Sequence, residues 1–313
     1  MKKLLTLGAA VAAAALLTVS CSSKKVTKIG ILQLVEHSAL TDSYRGFVDG
    51  LKEAGYEDKK NISIDYQNAQ GEQANCATIA TKFVSDRDDL ILAIATPAAQ
   101  AVAAATDVIP VLVTAVTDPA SAGLAVSNDK PGKNISGTSD LTPCSAQIDL
   151  LVRLFPDAKK IAMLYCSSEE NSKVQIVAAK KRCDEIGLKY VDATVSNTNE
   201  VQQVVQSLVG KVDAIYTPTD NMIASTMPTV ATITTPNKIP VICGEEGMVA
   251  SGGLATYGIN YYELGKQTAA MAVEVLNGKN PADMPIQYQE KFEFKYNSVV
   301  AEQLGVTIPE DLL

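Results

Sequence analysis

The 313-residue chain is long enough for two domains of ordinary size and too long for one compact core. With 47% hydrophobic and 20% charged residues it is not a largely disordered chain. Its net charge of −8 argues against a nucleic-acid partner, because an acidic surface repels phosphate backbones.

Residues 1–20 have the three parts of a secretory signal: Lys2 and Lys3, an apolar stretch over 4–17, and small residues before Cys21. The apolar stretch is shorter than the roughly 20 residues of a permanent membrane span. The segment resembles a bacterial lipoprotein signal, with Thr18 three places before the cysteine, where that motif carries an aliphatic residue. The resemblance implies that Cys21 is lipidated, that 21–27 form a short leash, and that the protein sits on the extracytoplasmic face of the cell membrane. Cys76, Cys144, Cys166, Cys183 and Cys243 are scattered without C-x-x-C spacing, so neither a zinc site nor a redox motif is expected and each reads as a small hydrophobe.

From residue 28 short apolar runs alternate with helical periodicity. "KIGILQL" reads as a strand and leads to a helix over 44–54 ended by Gly55; "NISIDYQ" and "QANCATIATKFVSD" are the next strand and helix. "LILAIAT", "PAAQAVAAAT" with proline in its first turn, and "IPVLVTAV" continue the alternation. Strand, helix, strand in this order means a parallel sheet with helices on both faces. A linker is expected at 139–146, where Asp140, Pro143 and Ser145 interrupt the pattern. Then "KKIAMLYC", a helix to Gly187, "GLKYVDATV", "NEVQQVVQSLVG", "VDAIYTPTD" and "IPVICG" retrace the first half, which implies two similar α/β lobes. After "GGLATYGIN" a long helix over 262–276 is stopped by Asn277 and Gly278. By analogy with two-lobed folds this helix returns to the first lobe, giving a first lobe of 28–142 plus about 257–282 and a second of 143–256 plus about 283–313.

Catalytic signatures are missing from the sequence. His37 is the single histidine, no G-x-S-x-G is present, no G-x-G-x-x-G follows the first strand, and there is no G-x-x-x-x-G-K-[ST]. The polar residues concentrate instead at the carboxyl ends of the expected strands, where open α/β sheets bind ligands. In the first half these are Gln33, Glu36, His37, Asn68, Gln70, Thr96, Thr114, Thr117 and Asp118; in the second, Ser167, Ser168, Glu169, Thr219, Asp220, Asn221, Glu245 and Glu246. Thr96 before Pro97 reads as a helix N-cap, which is also a ready carboxylate site. Asp118-Pro119 reads equally as a turn, and Asp220-Asn221 as a cap. Of Glu245 and Glu246 one should face a cleft, where a lone carboxylate suits an ammonium group. His37 reads as a solvated loop residue.

The segments "GILQLVEHSALTDSYRGFVDGLKEAGY", "IDYQNAQGE", "IATPAAQAVA", "TAVTDPASAGL", "VGKVDAIYTPTDN", "GEEGM" and "LATYGINYYELGKQTA" resemble the tryptophan- and tyrosine-type solute-binding lipoproteins of ABC uptake systems. The resemblance implies an α/β fold of two Rossmann-like lobes with parallel sheets and a multi-strand hinge, the type I periplasmic-binding-protein fold. It implies an amino acid, often aromatic, held between the lobes of a monomer that serves a permease and its ATPase, with no enzymatic activity, cofactor or metal. By strand position, as in aliphatic amino acid receptors of the same fold, Thr96 and Thr114 with the amides around Ala98 and Val116 would hold the ligand carboxylate, and Glu245 or Asp220 its ammonium. An aromatic slot is expected from Tyr165, Tyr216 or Tyr257. The expected binding set is completed by Glu36, Gln70, Asp118, Asp140 and Asn221. Three rival readings stand beside this one. They are a sensory receptor of the same fold, a receptor for another solute such as a branched-chain amino acid or a nucleoside, and an enzyme using Asp118, Asp220 or Glu245 as acid or base.

Overall fold

Apolar runs that end in turn signals become strands buried on both faces, and the amphipathic stretches between them become the helices that cover those faces. The computed structural model describes residues 26–312, so the expected signal peptide and Cys21 lie outside the described residues. The first lobe begins with β1 (Thr27–Gln33), α1 (Ser38–Glu53), β2 (Ile62–Asn68), α2 (Gln73–Ser85), β3 (Leu90–Ile94), α3 (Thr96–Ala105), β4 (Val111–Val116) and β5 (Ile135–Ser139). The second contains α4 (Cys144–Leu154), β6 (Lys160–Cys166), α5 (Glu170–Ile186), β7 (Lys189–Val195), α6 (Thr198–Leu208), β8 (Ala214–Thr217), α7 (Asn221–Thr234), β9 (Val241–Cys243), α8 (Glu246–Ala250) and β10 (Ala255–Gly258). The chain continues through α9 (Tyr261–Leu276), β11 (Gln287–Tyr288), β12 (Glu293–Tyr296) and α10 (Ser298–Leu304).

The two sheets have the same order, β2-β1-β3-β4-β5-β11 and β7-β6-β8-β9-β10-β12. The chain therefore passes between them three times, after β5, after β10 and after β11. Two expected boundaries need correction. β10, which includes residue 257, lies wholly in the second sheet, and Gln287 and Tyr288 pair with Thr138 and Ser139 of the first, so 283–313 do not belong to the second lobe alone. Strand β5 falls in the stretch before the expected linker and carries no apolar run. Its hydroxyls are buried because each finds a partner: Ser136 Oγ donates to the Met284 carbonyl at 2.6 Å, and Thr138 Oγ1 donates to Thr114 Oγ1 at 3.1 Å. Helix α1 starts at Ser38, earlier than the expected 44, because Ala39, Leu40 and Ser43 already face the core.

Strand β6 shows how the second core divides. Ala162, Leu164 and Cys166 point to one face and Ile161, Met163 and Tyr165 to the other, the period-two alternation of a doubly covered strand. The five cysteines among the described residues are free and buried, and burial pushes the thiols of Cys76 and Cys183 up to about 11 and 12, leaving them unreactive.

Helix α9 is fastened to the first lobe through glycine. A Cβ on Gly265 would collide with the Ser43 carbonyl, and one on Gly46 with the Tyr262 carbonyl, so α1 and α9 touch backbone to backbone. Because α9 follows directly on a crossing between lobes, this contact fixes where that crossing sits. Gly265→Val forces the helices apart at a cost of about 1–3 kcal/mol, read as a fall of several degrees in the thermal midpoint; an unchanged midpoint would contradict this packing.

Candidate functional site

In each sheet the order reverses beside one strand. β1 lies between β2 and β3, and β6 between β7 and β8, so the loops leaving their carboxyl ends diverge and open a crevice. The two crevices face each other across the hinge. They enclose a narrow cavity of about 10 Å³, room for about one water molecule, so the lobes must part to admit a ligand; it is lined by His37, Leu40 and Ala115 from the first lobe and Thr219, Asp220, Asn221, Ala224, Glu245 and Met248 from the second. Asp140 and Tyr261, each beside a crossing, complete the lining.

Two backbone irregularities shape the first-lobe wall. The β4–β5 register shifts between Val113 and Val116, which throws Ala115 out of the ladder with φ +53°. At the end of β3, Ala95 has φ +85° and ψ 152°, a region almost reserved for glycine. Strain of this kind, of order 1–3 kcal/mol per residue, persists where surrounding structure holds it; here Ala115 lines the cavity and Ala95 is buried at the head of α3.

The helix ends around the cleft differ in sign. On the first lobe, α1 and α3 begin at His37 and Ala95 with no side-chain cap, leaving backbone N–H groups and the positive end of each helix dipole free. On the second lobe, Asp220 Oδ1 accepts from the Ile223 N–H at 2.9 Å to cap α7. Glu245 accepts from Gly247 N–H and, at 2.7 Å, from Met248 N–H to cap α8. One wall is suited to an anion and the other carries carboxylates.

Those carboxyls are deeply buried. Desolvation pushes Asp140 up to about 6 and Glu245 up to about 7, while Tyr261 Oη and Thr117 Oγ1 donate to Asp140 at 2.8 and 3.0 Å. Glu169 and Asp220 are also raised, by burial first and, for Glu169, then by the charge of Asp220. The cavity lining contains no lysine or arginine. A cation entering the cavity would therefore meet acids that lack one.

Hydrogen bonds already cross between the lobes. Thr117 Oγ1 lies 3.3 Å from Thr219 Oγ1, and Gln175 Nε2 donates to Thr117 Oγ1 at 3.4 Å. His37 Nε2 lies 3.3 Å from Asn221 Oδ1, and burial lowers the imidazole to about 4, so it is neutral near pH 7.

Of the expected binding residues, the fold brings Asp140, Asp220, Asn221 and Glu245 together in the cavity wall. Thr96, Ala98, Thr114 and Val116 are buried around Ala115 rather than in the lining; Thr114 is engaged by Thr138, and Thr96 Oγ1 has no partner among the described residues. Gln70 lines a neighbouring interlobe pocket with Val35, Asn197 and Asn221, whereas Glu36 is exposed. Asp118 forms a turn, accepting from Ala120 N–H at 3.2 Å and Asn128 Nδ2 at 2.9 Å. Tyr216 is buried in the second-lobe core, Tyr165 and Tyr257 pack against it partly buried, and none of the three is in the cavity lining. Sequence reasoning missed His37, Ala115 and Tyr261 as cavity residues. For Tyr261 a signal existed, since it opens the helix that follows a crossing.

The chain matches the family described as ABC transporter substrate binding protein over residues 28–313. It is 46% identical to a tyrosine-binding protein of Clostridioides difficile strain R20291, over 91% of this chain and 82% of the relative. It superposes with a TM-score of 0.89, at 42% identity and covering 91% of this chain and 97% of the other, on the ABC domain in complex with L-Trp from Streptococcus pneumonia. A ligand-free, open substrate binding protein with adhesive properties from Clostridium difficile gives 0.70 at 48% identity, covering 91% and 97%. With this fold, this cavity and these similarities, the chain belongs to the ABC transporter substrate-binding proteins.

Proposed function

We propose that the chain captures an aromatic amino acid between its lobes as a zwitterion and delivers it unchanged to a membrane permease driven by an ATPase. The observation that carries this reading is the contrast between α1 and α3 of the first lobe, whose N-termini have no side-chain cap, and α7 and α8 of the second, capped by buried acids; α5 also lacks a side-chain cap bond but carries the buried acid Glu169 at its N-cap position. The ligand carboxylate belongs at the bare N–H groups and its ammonium beside Glu245 and Asp140, whose oxygens each accept one hydrogen bond from the described residues. Support also comes from similarity. The lobe arrangement lies nearer to that of the neighbour holding L-Trp than to that of the open, ligand-free one, although the latter is more alike in sequence. Binding without turnover is favoured because Asp118 and Asp220, two acids of the enzymatic alternative, are committed to a turn and a cap. The receptor works as a monomer, tethered through a lipid on Cys21 at the extracytoplasmic face.

The chain contains no tryptophan, so the emission of bound indole can be read alone. Titration with L-tryptophan should give a saturable change displaced by tyrosine but not by leucine or adenosine, with the ligand recovered unaltered by mass spectrometry. Displacement by leucine or adenosine in place of tyrosine would remove the aromatic assignment.

Affinity should also depend on pH. With Asp140 raised to about 6 and Glu245 to about 7, the ligand-free cavity takes up protons on these acids as pH falls through those values, and a neighbouring ammonium favours the ionised forms, so binding in that range releases protons. Affinity then falls as pH drops from 8 towards 5, by at most about tenfold per pH unit for each acid. Glu245→Gln should weaken binding by about tenfold or more and flatten the profile near pH 7; a profile identical to the unmodified protein's would place the ammonium elsewhere.

For the tether, Cys21→Ser expressed in a lipoprotein-processing bacterium should leave the membrane fraction and appear in the extracytoplasmic soluble fraction. Retention on the membrane would remove Cys21 as the anchor.

A further inference from the structure

His37 reaches the second lobe from the loop after β1. Its partner there, Asn221, is oriented by its own contacts: Asn221 Nδ2 donates to Glu169 Oε2 at 2.6 Å, and the Asn221 backbone N–H donates to the same oxygen at 3.1 Å. The amide oxygen is therefore the atom that faces His37 at 3.3 Å. An amide oxygen only accepts, so the imidazole proton sits on Nε2 and Nδ1 carries a bare lone pair. Nδ1 is buried, belongs to a residue of the cavity wall, and has no hydrogen-bond partner among the described residues. Burial holds the ring neutral near pH 7, so this tautomer is the resident one.

A buried acceptor without a donor is costly, and a site built around one favours the ligand that supplies the donor. The carboxylate and ammonium of an amino acid already have partners in the helix ends and acids described above. We propose that His37 is a specificity-determining residue whose Nδ1 accepts a hydrogen bond from a donor on the ligand side chain, so that the site selects amino acids with a phenol O–H or an indole N–H over phenylalanine. The proposal rests on the aromatic amino acid reading of the same cavity and adds to it the atom that reads the ring. Asn221 and Glu169 act through His37 as positioning residues, setting the tautomer without touching the ligand ring.

The test compares dissociation constants of L-tyrosine, L-tryptophan and L-phenylalanine for the unmodified protein, His37→Leu and His37→Gln, with thermal melts to establish folding. The unmodified protein should bind phenylalanine at least about tenfold more weakly than the other two. His37→Leu should bring the three within about twofold of one another, even though loss of the bond to Asn221 weakens all of them. His37→Gln, whose amide can donate to Asn221 and still present an oxygen, should retain much of the preference. Equal weakening of all three ligands in His37→Leu, with the preference intact, would reduce His37 to a latch between lobes and overturn the proposal. So would phenylalanine binding to the unmodified protein as tightly as tyrosine does. Failure of all three to bind the unmodified protein would instead remove the aromatic reading on which the proposal stands.

Discussion

Asp140, Glu169, Asp220 and Glu245 are carried into the contact between two lobes, and the desolvation of their charge is the constraint on which the rest of the structure depends. Raising Glu245 to about 7 corresponds to about 3 kcal/mol against its charged form. Backbone N–H groups and hydroxyls relieve part of that cost, but the cavity wall supplies no cation. Closing the lobes on an ammonium group therefore gains what closing them empty does not, and a ligand can shift the open-closed equilibrium only through such a difference. Neutral His37 fits the same logic, since a protonated imidazole would have to be desolvated when the lobes meet.

The architecture places these groups without long loops. Each sheet reverses order beside its first strand, so polar residues at strand ends collect in a crevice, and two copies of the arrangement face each other. Three crossings keep the crevices in register while leaving few contacts to break on opening, the arrangement suited to a hinge. The backbone contact of α9 on α1 makes one crossing rigid on the first-lobe side. Asp140 and Tyr261, joined at 2.8 Å, tie two crossings together at the cavity itself. Ligand chemistry and hinge geometry thus share one side chain.

Much of this was legible in the sequence, for identifiable reasons. Strands buried on both faces show as apolar runs, and the two halves share their order, so the duplicated α/β pattern could be read directly. Strand β5 could not, because Ser136, Thr138 and Ser139 are buried through hydrogen bonds to residues far along the chain rather than through apolarity. The acids Asp220 and Glu245 stood out because capping residues lie at strand-to-helix junctions, which are also the rim. The tyrosines misled: Tyr165 shares a β6 face with Ile161 and Met163, and period-two counting assigns it to the core. His37 looked like a loop residue because its partner is 184 positions away, a pairing no local pattern encodes.

The most direct test of the central claim is calorimetry with L-tyrosine, N-acetyl-L-tyrosine and L-tyrosine amide, with L-tryptophan and its matching derivatives in parallel. The three forms share a ring and differ in whether the ammonium and the carboxylate are both charged. If buried acids and bare helix ends together hold a zwitterion, the free amino acid binds and each derivative, lacking one charge, loses about two orders of magnitude or more in affinity. Binding of the N-acetyl form as tight as that of the free amino acid would contradict the account, because the buried carboxylates would then have no cation to meet.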